Sequence, residues 1–400
     1  MKAALGFGLV MLALTGAAAS TEVDDFQSWL SQGTVGVDIR LRYEHVDQGL
    51  ANTADALTVR NRVALRTAEW NGFSLLLEGE DVRALVEDYN STANGRTGFP
   101  VVADPEGGEI NQAALSYQRG PGTATLGRQK ISLDNQRFFG AAGFRQNEQT
   151  FDSASFVYAD GLYTARLIYV DQVHRVFGNS NPNRLLRQQD LNGLIATFGY
   201  QTTLGLLRLY GHLIENVDVP LSSAQTYGVR FDGLYKPSDR LSISYVAELA
   251  RQSDYADAAA ASAARYALFE VGLGHSRWLQ SLRLGTERLG GDGRSAFQTP
   301  FATLHMFNGW ADTFLTTPVS GLRDWYLEYG AKLGPGRALV QLHRFDAEQG
   351  SQRYGDEFGL QYTWPLRPDL TMTFKWANYR ARAFGRDTEK LWLSFDYSRK

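Results

Sequence analysis

Apolar and polar residues alternate with a period of two along most of the chain. Leu57, Val59, Val63 and Leu65 alternate with Thr58, Arg60, Arg62, Ala64 and Arg66. After Trp70-Asn71-Gly72 the pattern resumes with Phe73, Leu75 and Leu77 against Ser74, Leu76, Glu78 and Glu80. Period two gives each strand one apolar and one polar face. A three-residue turn with Gly72 at positive φ would set Glu69 against Phe73, Leu65 against Leu77 and Arg62 against Glu80. Both faces then match across the hairpin, whereas a two-residue loop would set Leu65 against Glu78. The spacing therefore predicts the longer turn. The polar face carries arginines and glutamates rather than Ser and Thr, which suits a barrel wall with lipid outside and a charged, watery lumen inside.

Eighteen segments follow this rule: 35–46, 57–66, 73–85, 110–118, 123–131, 151–158, 163–173, 191–200, 204–214, 225–235, 241–251, 265–275, 279–289, 325–333, 338–345, 357–364, 370–379 and 389–397. Their connections alternate in length. Short links at 70–72, 119–122, 159–161, 201–203, 236–240, 276–277, 334–336 and 365–369 interleave with longer, polar ones at 47–56, 86–108, 132–150, 177–190, 215–224, 252–264, 290–324, 346–356 and 380–388. An up-and-down outer-membrane barrel predicts this, with tight periplasmic turns and long outer loops. The fold class is thus an all-β transmembrane antiparallel barrel of about 18 strands over residues 35–397. Tyr117, Tyr158, Tyr200, Tyr235, Trp278, Trp325, Trp364 and Tyr397 stand near segment ends, where interfacial girdles would place them.

Composition changes the picture in three ways. Residues 1–19 read as a secretory signal, with Lys2 as the charged region, 3–14 as the apolar stretch and Ala17-Ala18-Ala19 before the cleavage site. Residues 20–34 are then a periplasmic N-terminal segment. Beyond residue 19 no apolar run reaches the roughly 20 residues of a spanning helix, which a barrel does not need. Without cysteines there is no disulfide scaffold and no thiolate metal site. Removing Lys2 with the leader leaves 39 basic against 43 acidic side chains, a balance that argues against nucleic acid as a partner.

The polar face of the first three segments offers Arg40, Arg42, Arg60, Arg62 and Arg66, with Asp38, Glu44, Glu78 and Glu80 among them. Guanidinium forks bind carboxylates two bonds at a time. A ladder of them gives an anion many weak, similar sites, as conduction requires. The plainer reading is that these charges satisfy one another and stiffen the wall. In the second half the inward set is mixed: Arg230, Glu248, Arg283, Glu287, Glu328, Lys332, Glu357 and Lys375. His212 and His343 are expected on the lumen wall. The connections 132–150 and 290–324 are too rich in apolar residues to float in water. They either fold inward, bringing Arg137 and Arg145 to the narrowest point, or form an outer lid.

Those stretches also carry a likeness. Residues 99–106 (Phe-Pro-Val-Val-Ala-Asp-Pro-Glu), 126–131 (Leu-Gly-Arg-Gln-Lys-Ile), 134–138, 144–152 and 297–312 occur in an order that resembles the alginate-export family of outer-membrane porins. The similarity spans most of the mature chain. It implies an eighteen-stranded barrel passing an anionic polysaccharide through an electropositive lumen, with Arg128, Lys130, Arg137 and Arg145 in substrate-facing roles. Alternation puts Arg128 and Lys130 on the face of Ala124 and Leu126, so either a bulge flips the strand or both stand above the membrane.

No catalytic constellation emerges. The six histidines are scattered one to a segment, and no nucleophile motif or metal spacing surrounds them. Asp104, Glu106 and Glu109 are a possible Ca²⁺ cluster or a solvated acidic loop. The expectation is a monomeric channel in the outer membrane of a Gram-negative bacterium. It contacts lipid and lipopolysaccharide, needs no cofactor, and passes anionic oligo- or polysaccharide. The alternatives are a general porin for small hydrophilic solutes and a surface receptor built from the outer loops.

Overall fold

The computed structural model describes residues 22–258, 263–275 and 279–399. The expected leader at 1–19, the turn at 276–277 and Trp278 lie outside the described residues. Eighteen long strands form a closed antiparallel barrel. They are β1 (Thr34–Asp47), β2 (Ala54–Arg66), β3 (Phe73–Asp88), β4 (Gly107–Arg119), β5 (Gly122–Gln129), β6 (Thr150–Ala159), β7 (Tyr163–His174), β8 (Gln188–Gln201) and β9 (Leu206–Asn216). The second half comprises β10 (Ala224–Ser238), β11 (Leu241–Asp254), β12 (Ala263–His275), β13 (Leu279–Leu289), β14 (Leu322–Leu333), β15 (Gly336–Asp346), β16 (Arg353–Arg367), β17 (Leu370–Ala381) and β18 (Thr388–Arg399). Each strand pairs with its sequence neighbours, and β1 closes the ring on β18, with Leu41 opposite Phe395. Closure leaves no unpaired edge, which a sheet in hydrocarbon requires.

Side-chain exposure follows the alternation. Leu41, Val63, Leu65, Leu77, Leu126, Phe156, Leu209, Phe269, Leu284 and Leu342 are exposed on the outer face. Their interleaved neighbours Arg42, Arg60, Arg62, Glu78, Glu80, Arg230, Glu248 and Glu287 are buried inside. In water so large an apolar surface would drive aggregation; against lipid it is the expected outer band.

The first hairpin keeps the expected register, with Arg62 opposite Glu80 and Leu65 opposite Leu77. Its turn is the shorter one: Trp70 pairs with Phe73, and Asn71 (φ 49°) and Gly72 (φ 85°) form the loop. Asn-Gly with both φ positive matches the right-handed strand twist. The register survives because one residue leaves the ladder. Thr67 still donates to the Leu75 carbonyl, but the Ala68 N–H turns away to the Trp29 carbonyl. Trp29 belongs to the single-turn helix α1 (Phe26–Ser31), which Asp25 caps through the Ser28 N–H (2.8 Å).

Two long connections do not stay outside. Residues 130–149, between β5 and β6, and 290–321, between β13 and β14, run into the lumen. They meet there: Gly140 N donates to the Phe301 carbonyl (2.9 Å) and Thr303 N to the Gln136 carbonyl (3.1 Å). Phe138, Phe139, Phe297 and Phe301 pack on inward-facing Ile168, Ile195, Tyr210 and Tyr266. This part of the lumen is therefore an apolar core and not the watery space the alternation suggested. The inner face of β7–β9 is apolar at Ile168, Val170, Leu191, Ile195 and Ile214 because these loops cover it.

Candidate channel lining and inward loops

The inward loops are held by ion pairs to both sides of the wall. On β2 and β3, Arg62 donates to Glu80 (2.8 Å from Nε) and lies 3.1 Å from Glu148 of the first loop. Lys130 pairs with the same Glu148 and lies 3.2 Å from Glu78, which also accepts from Asn111 at 2.6 Å. On β1, Arg42 pairs with Asp104 of the 89–106 loop. Arg145 bridges Glu44 (3.2 Å) and Asp312 (3.0 Å). Across the lumen Arg137 pairs with Glu287 of β13 (2.8 Å) and donates to Asn308 (2.9 Å). The second loop is fixed on β16, where Glu357 accepts from the backbone N–H groups of Trp310 and Ala311.

At the meeting point of the loops, the Phe144 and His305 rings stack with centroids 3.6 Å apart. His305 Nδ1 contacts Asp312 at 2.7 Å and its Nε2 contacts Lys375 Nζ at 2.6 Å. Lys390 also reaches Asp312 (2.8 Å). Burial pushes the His305 imidazole down to about 3, although Asp312 pulls the other way. It is therefore neutral at ordinary pH, donating from Nδ1 to Asp312 and accepting at Nε2 from Lys375. Burial also raises Glu148, but Lys130 and Arg62 outweigh it and hold that carboxyl at about 2. For Asp104, burial is likewise outweighed by Arg42 and Arg145, leaving it below the usual carboxylate range.

These shifts give the loops an acid limit. A released loop would titrate near the ordinary values, so each depressed group favours docking less as pH falls. The His305 contribution is lost between 6.5 and about 3, and that of Glu148 between 4.5 and about 2. Single-channel currents should be quiet at pH 7 and should become larger and noisier near pH 4. Identical traces at the two pH values would contradict loop docking through these groups.

The structure sorts the residues singled out in the sequence. Arg42, Arg60, Arg62, Glu78 and Glu80 face inward and are buried; Arg137 and Arg145 are on the loops inside the barrel. Arg66 also faces inward at the short-turn end, without an ion pair among the described residues. Arg128 does not line the lumen. It stays in phase with exposed Leu126, opposite Ala113 and Asp152, and pairs with Asp152 on the outer face at 2.8 Å. Lys130 does point in, because β5 ends at Gln129 and the chain bends into the lumen there. Asp104 accepts from Arg42 and from the Gln146 N–H and thus serves as a loop anchor. His343 contacts Asp324 (3.0 Å), while His212 packs among Phe138, Phe139 and Tyr210.

Sequence reasoning missed Arg166, Arg208 and Lys390, all inward by the same alternation. Arg208 pairs with Asp134 (2.9 Å), and Arg166 has no ion pair among the described residues. Arg60 has a different character. Its guanidinium is 2% exposed and donates to Asp38, but Nε and Nη1 have no acceptor among the described residues. Below the loops lies a cavity of about 170 Å³ lined by Arg40, Arg42, Phe144, Lys375, Trp392 and Asp396, among others.

No protein-family model matches the chain, and no curated protein does. Solved structures do. OccK9 (OpdG) of Pseudomonas aeruginosa superposes with a TM-score of 0.74 at 13% identity, over 93% of this chain and 99% of that one. Acinetobacter baumannii OccAB2 gives 0.73 at 15%, over 93% and 99%. Pseudomonas aeruginosa OpdK, solved with vanillate, gives 0.70 at 15%, over 91% and 98%. OccK2 (OpdF) of the same species, solved with glucuronate, gives 0.68 at 14%, over 93% and 100%. The fold is that of the eighteen-stranded outer-membrane porins of Gram-negative bacteria. The likeness to alginate exporters is not carried by these neighbours.

Proposed function

We propose that the chain forms an outer-membrane diffusion channel for small anionic carbohydrates, uronic acids being the fitting class. The observation that carries this reading is the guanidinium column of β1 and β2. Arg40, Arg42, Arg60, Arg62 and Arg66 share one inward face, and Arg60 keeps two buried nitrogens without acceptors. A carboxylate is the planar, doubly accepting partner that such forks bind. The adjoining cavity adds Phe144 and Trp392 faces, suited to the C–H surface of a sugar ring. At about 170 Å³ it holds roughly half a dozen waters, the scale of one ring and not of a chain. Vanillate and glucuronate, the molecules solved with two of the neighbours, are both carboxylates. Arg66 and Arg166, without ion pairs among the described residues, extend the basic lining below the loops toward the short-turn end.

With two loops seated in the lumen, the reading favours monomers and short oligomers over exported polyuronate. The competing reading is a general porin for small hydrophilic solutes. It is favoured by the carboxylates that neutralise most of the lumen arginines, such as Glu78, Glu80 and Glu148 around Arg62. Liposomes carrying the purified protein should take up glucuronate faster than glucose and should exclude long polyuronate chains. Equal entry of glucose and glucuronate would leave the general porin. Entry of the long chains would restore the exporter.

A further inference from the structure

The outer wall carries a second set of arginines that the channel does not use. At the long-loop ends of consecutive strands, Arg251 (β11), Arg265 (β12), Arg288 (β13), Arg323 (β14) and Arg344 (β15) all lie on the outward face, in phase with exposed Leu249, Phe269, Leu284, Trp325 and Leu342. Register makes the arrangement sharper. Arg251 stands directly opposite Arg265, and Arg288 directly opposite Arg323. Like charges directly opposite on one face destabilise a sheet. Arg288 reaches Glu348 and Arg344 reaches Asp346 (3.1 Å), but Arg251, Arg265 and Arg323 have no ion pair among the described residues. The long-loop ends of other strands differ. Arg83 pairs with Asp81, Arg128 with Asp152, and β8–β9 present Asn192 bonded to Glu215.

One step toward the membrane centre, β12–β17 form an apolar groove of about 850 Å³. Phe269, Val271, Leu284, Leu327, Leu342 and Phe358 line it, with Arg344, Asp356 and Arg380 at its upper edge. Cationic rim and apolar groove are continuous in register. Leu284 pairs with Leu327, which pairs with Leu342, one two-residue step below the row of Thr286, Trp325 and Arg344.

We propose that this face binds a phosphorylated glycolipid of the outer leaflet, the lipid A portion of lipopolysaccharide. Its phosphates would be held by the two arginine pairs and its acyl chains would lie in the groove. An anion between each pair removes the like-charge repulsion and supplies acceptors to two guanidinium forks. The spacing selects the ligand. The pairs are offset by two strands and one two-residue step, roughly 12 Å on the wall at ordinary strand spacing and rise. Two phosphates carried at opposite ends of a disaccharide match that separation; a phospholipid brings one. This site needs only the membrane barrel and is independent of what the lumen passes.

The test is native mass spectrometry of the purified full chain in detergent. Probes are bis-phosphorylated lipid A, its mono-dephosphorylated form and phosphatidylglycerol, each with and without excess inorganic phosphate. The variants are R251Q/R265Q/R288Q/R323Q and, on another sector, R83Q/R128Q. Wild type should hold bis-phosphorylated lipid A about tenfold or more tighter than the fourfold variant, with the other two lipids weaker. The R83Q/R128Q protein should behave as wild type, and inorganic phosphate should compete weakly. Equal retention by wild type and the fourfold variant would overturn the proposal. So would equal retention of phosphatidylglycerol and lipid A by wild type, a comparison that holds even if the fourfold variant fails to fold. Full displacement by inorganic phosphate would reduce the site to a phosphate patch and would also overturn it.

Discussion

Replacing residues 134–147 with a short Gly-Ser linker is expected to raise single-channel conductance several-fold. That stretch carries Phe138 and Phe139 into the apolar core on β7–β9, and Arg137 across to Glu287. It also packs Phe144 on His305 and supplies Arg145 to Glu44 and Asp312. Eighteen strands alone enclose a wide aqueous lumen, so the bore is set by what fills it. The wall should survive, because its strands pair with one another throughout and Arg62 keeps Glu78 and Glu80. Planar-bilayer recording measures the change. Conductance unchanged by the replacement would mean that the loop does not define the path.

Arg62→Ala is the substitution expected to cost most in stability. Its side chain is 8% exposed and touches Glu78 and Glu80 of β3 and Glu148 of the first loop. Removing it leaves three buried carboxylates, of which Glu78 and Glu148 keep only Lys130 as an ion-pair partner among the described residues. Breaking a buried pair from one side costs about 3–5 kcal/mol, because a charge is left without compensation. Arg62→Lys keeps a charge but loses the fork, so its loss should be smaller. Denaturant unfolding in detergent, followed by tryptophan fluorescence, gives the order wild type, R62K, R62A. An R62A protein as stable as wild type would show that water solvates these carboxylates and that the cluster is not closed.

The wall was legible in the sequence because barrel strands obey one short-range rule. Each of the eighteen segments became a strand, and the register of Arg62 with Glu80 followed from matching both faces. The turn at Asn71-Gly72 was misjudged because a single diverted residue, Ala68, restores the phase, and its partner Trp29 is remote in sequence. Arg128 was misassigned because a motif resemblance outweighed the alternation, which had put it on the outer face with Leu126. That the lumen charges satisfy one another was one of two readings open in the sequence, but the loop partners of the arginines were not legible. The pattern places Arg42, Arg60 and Arg62 inside. It cannot tell that Asp104 and Glu148, from loops 62 and 86 positions further on, occupy two of them while Arg60 keeps nitrogens free among the described residues. The apolar inner face of β7–β9 was a readable signal that something covers it, since Ile168, Val170 and Ile195 would otherwise line water.

The reversal potential of the purified channel in a planar bilayer under a salt gradient tests the central claim most directly. It is measured for wild type and for R60Q/R66Q/R166Q, which targets lumen arginines with no hydrogen bond or ion pair to the inward loops among the described residues. The account predicts clear anion preference in wild type, weakened in the variant, with current block by glucuronate that the variant loses. Cation preference or no preference in wild type, with no response to glucuronate, would contradict it.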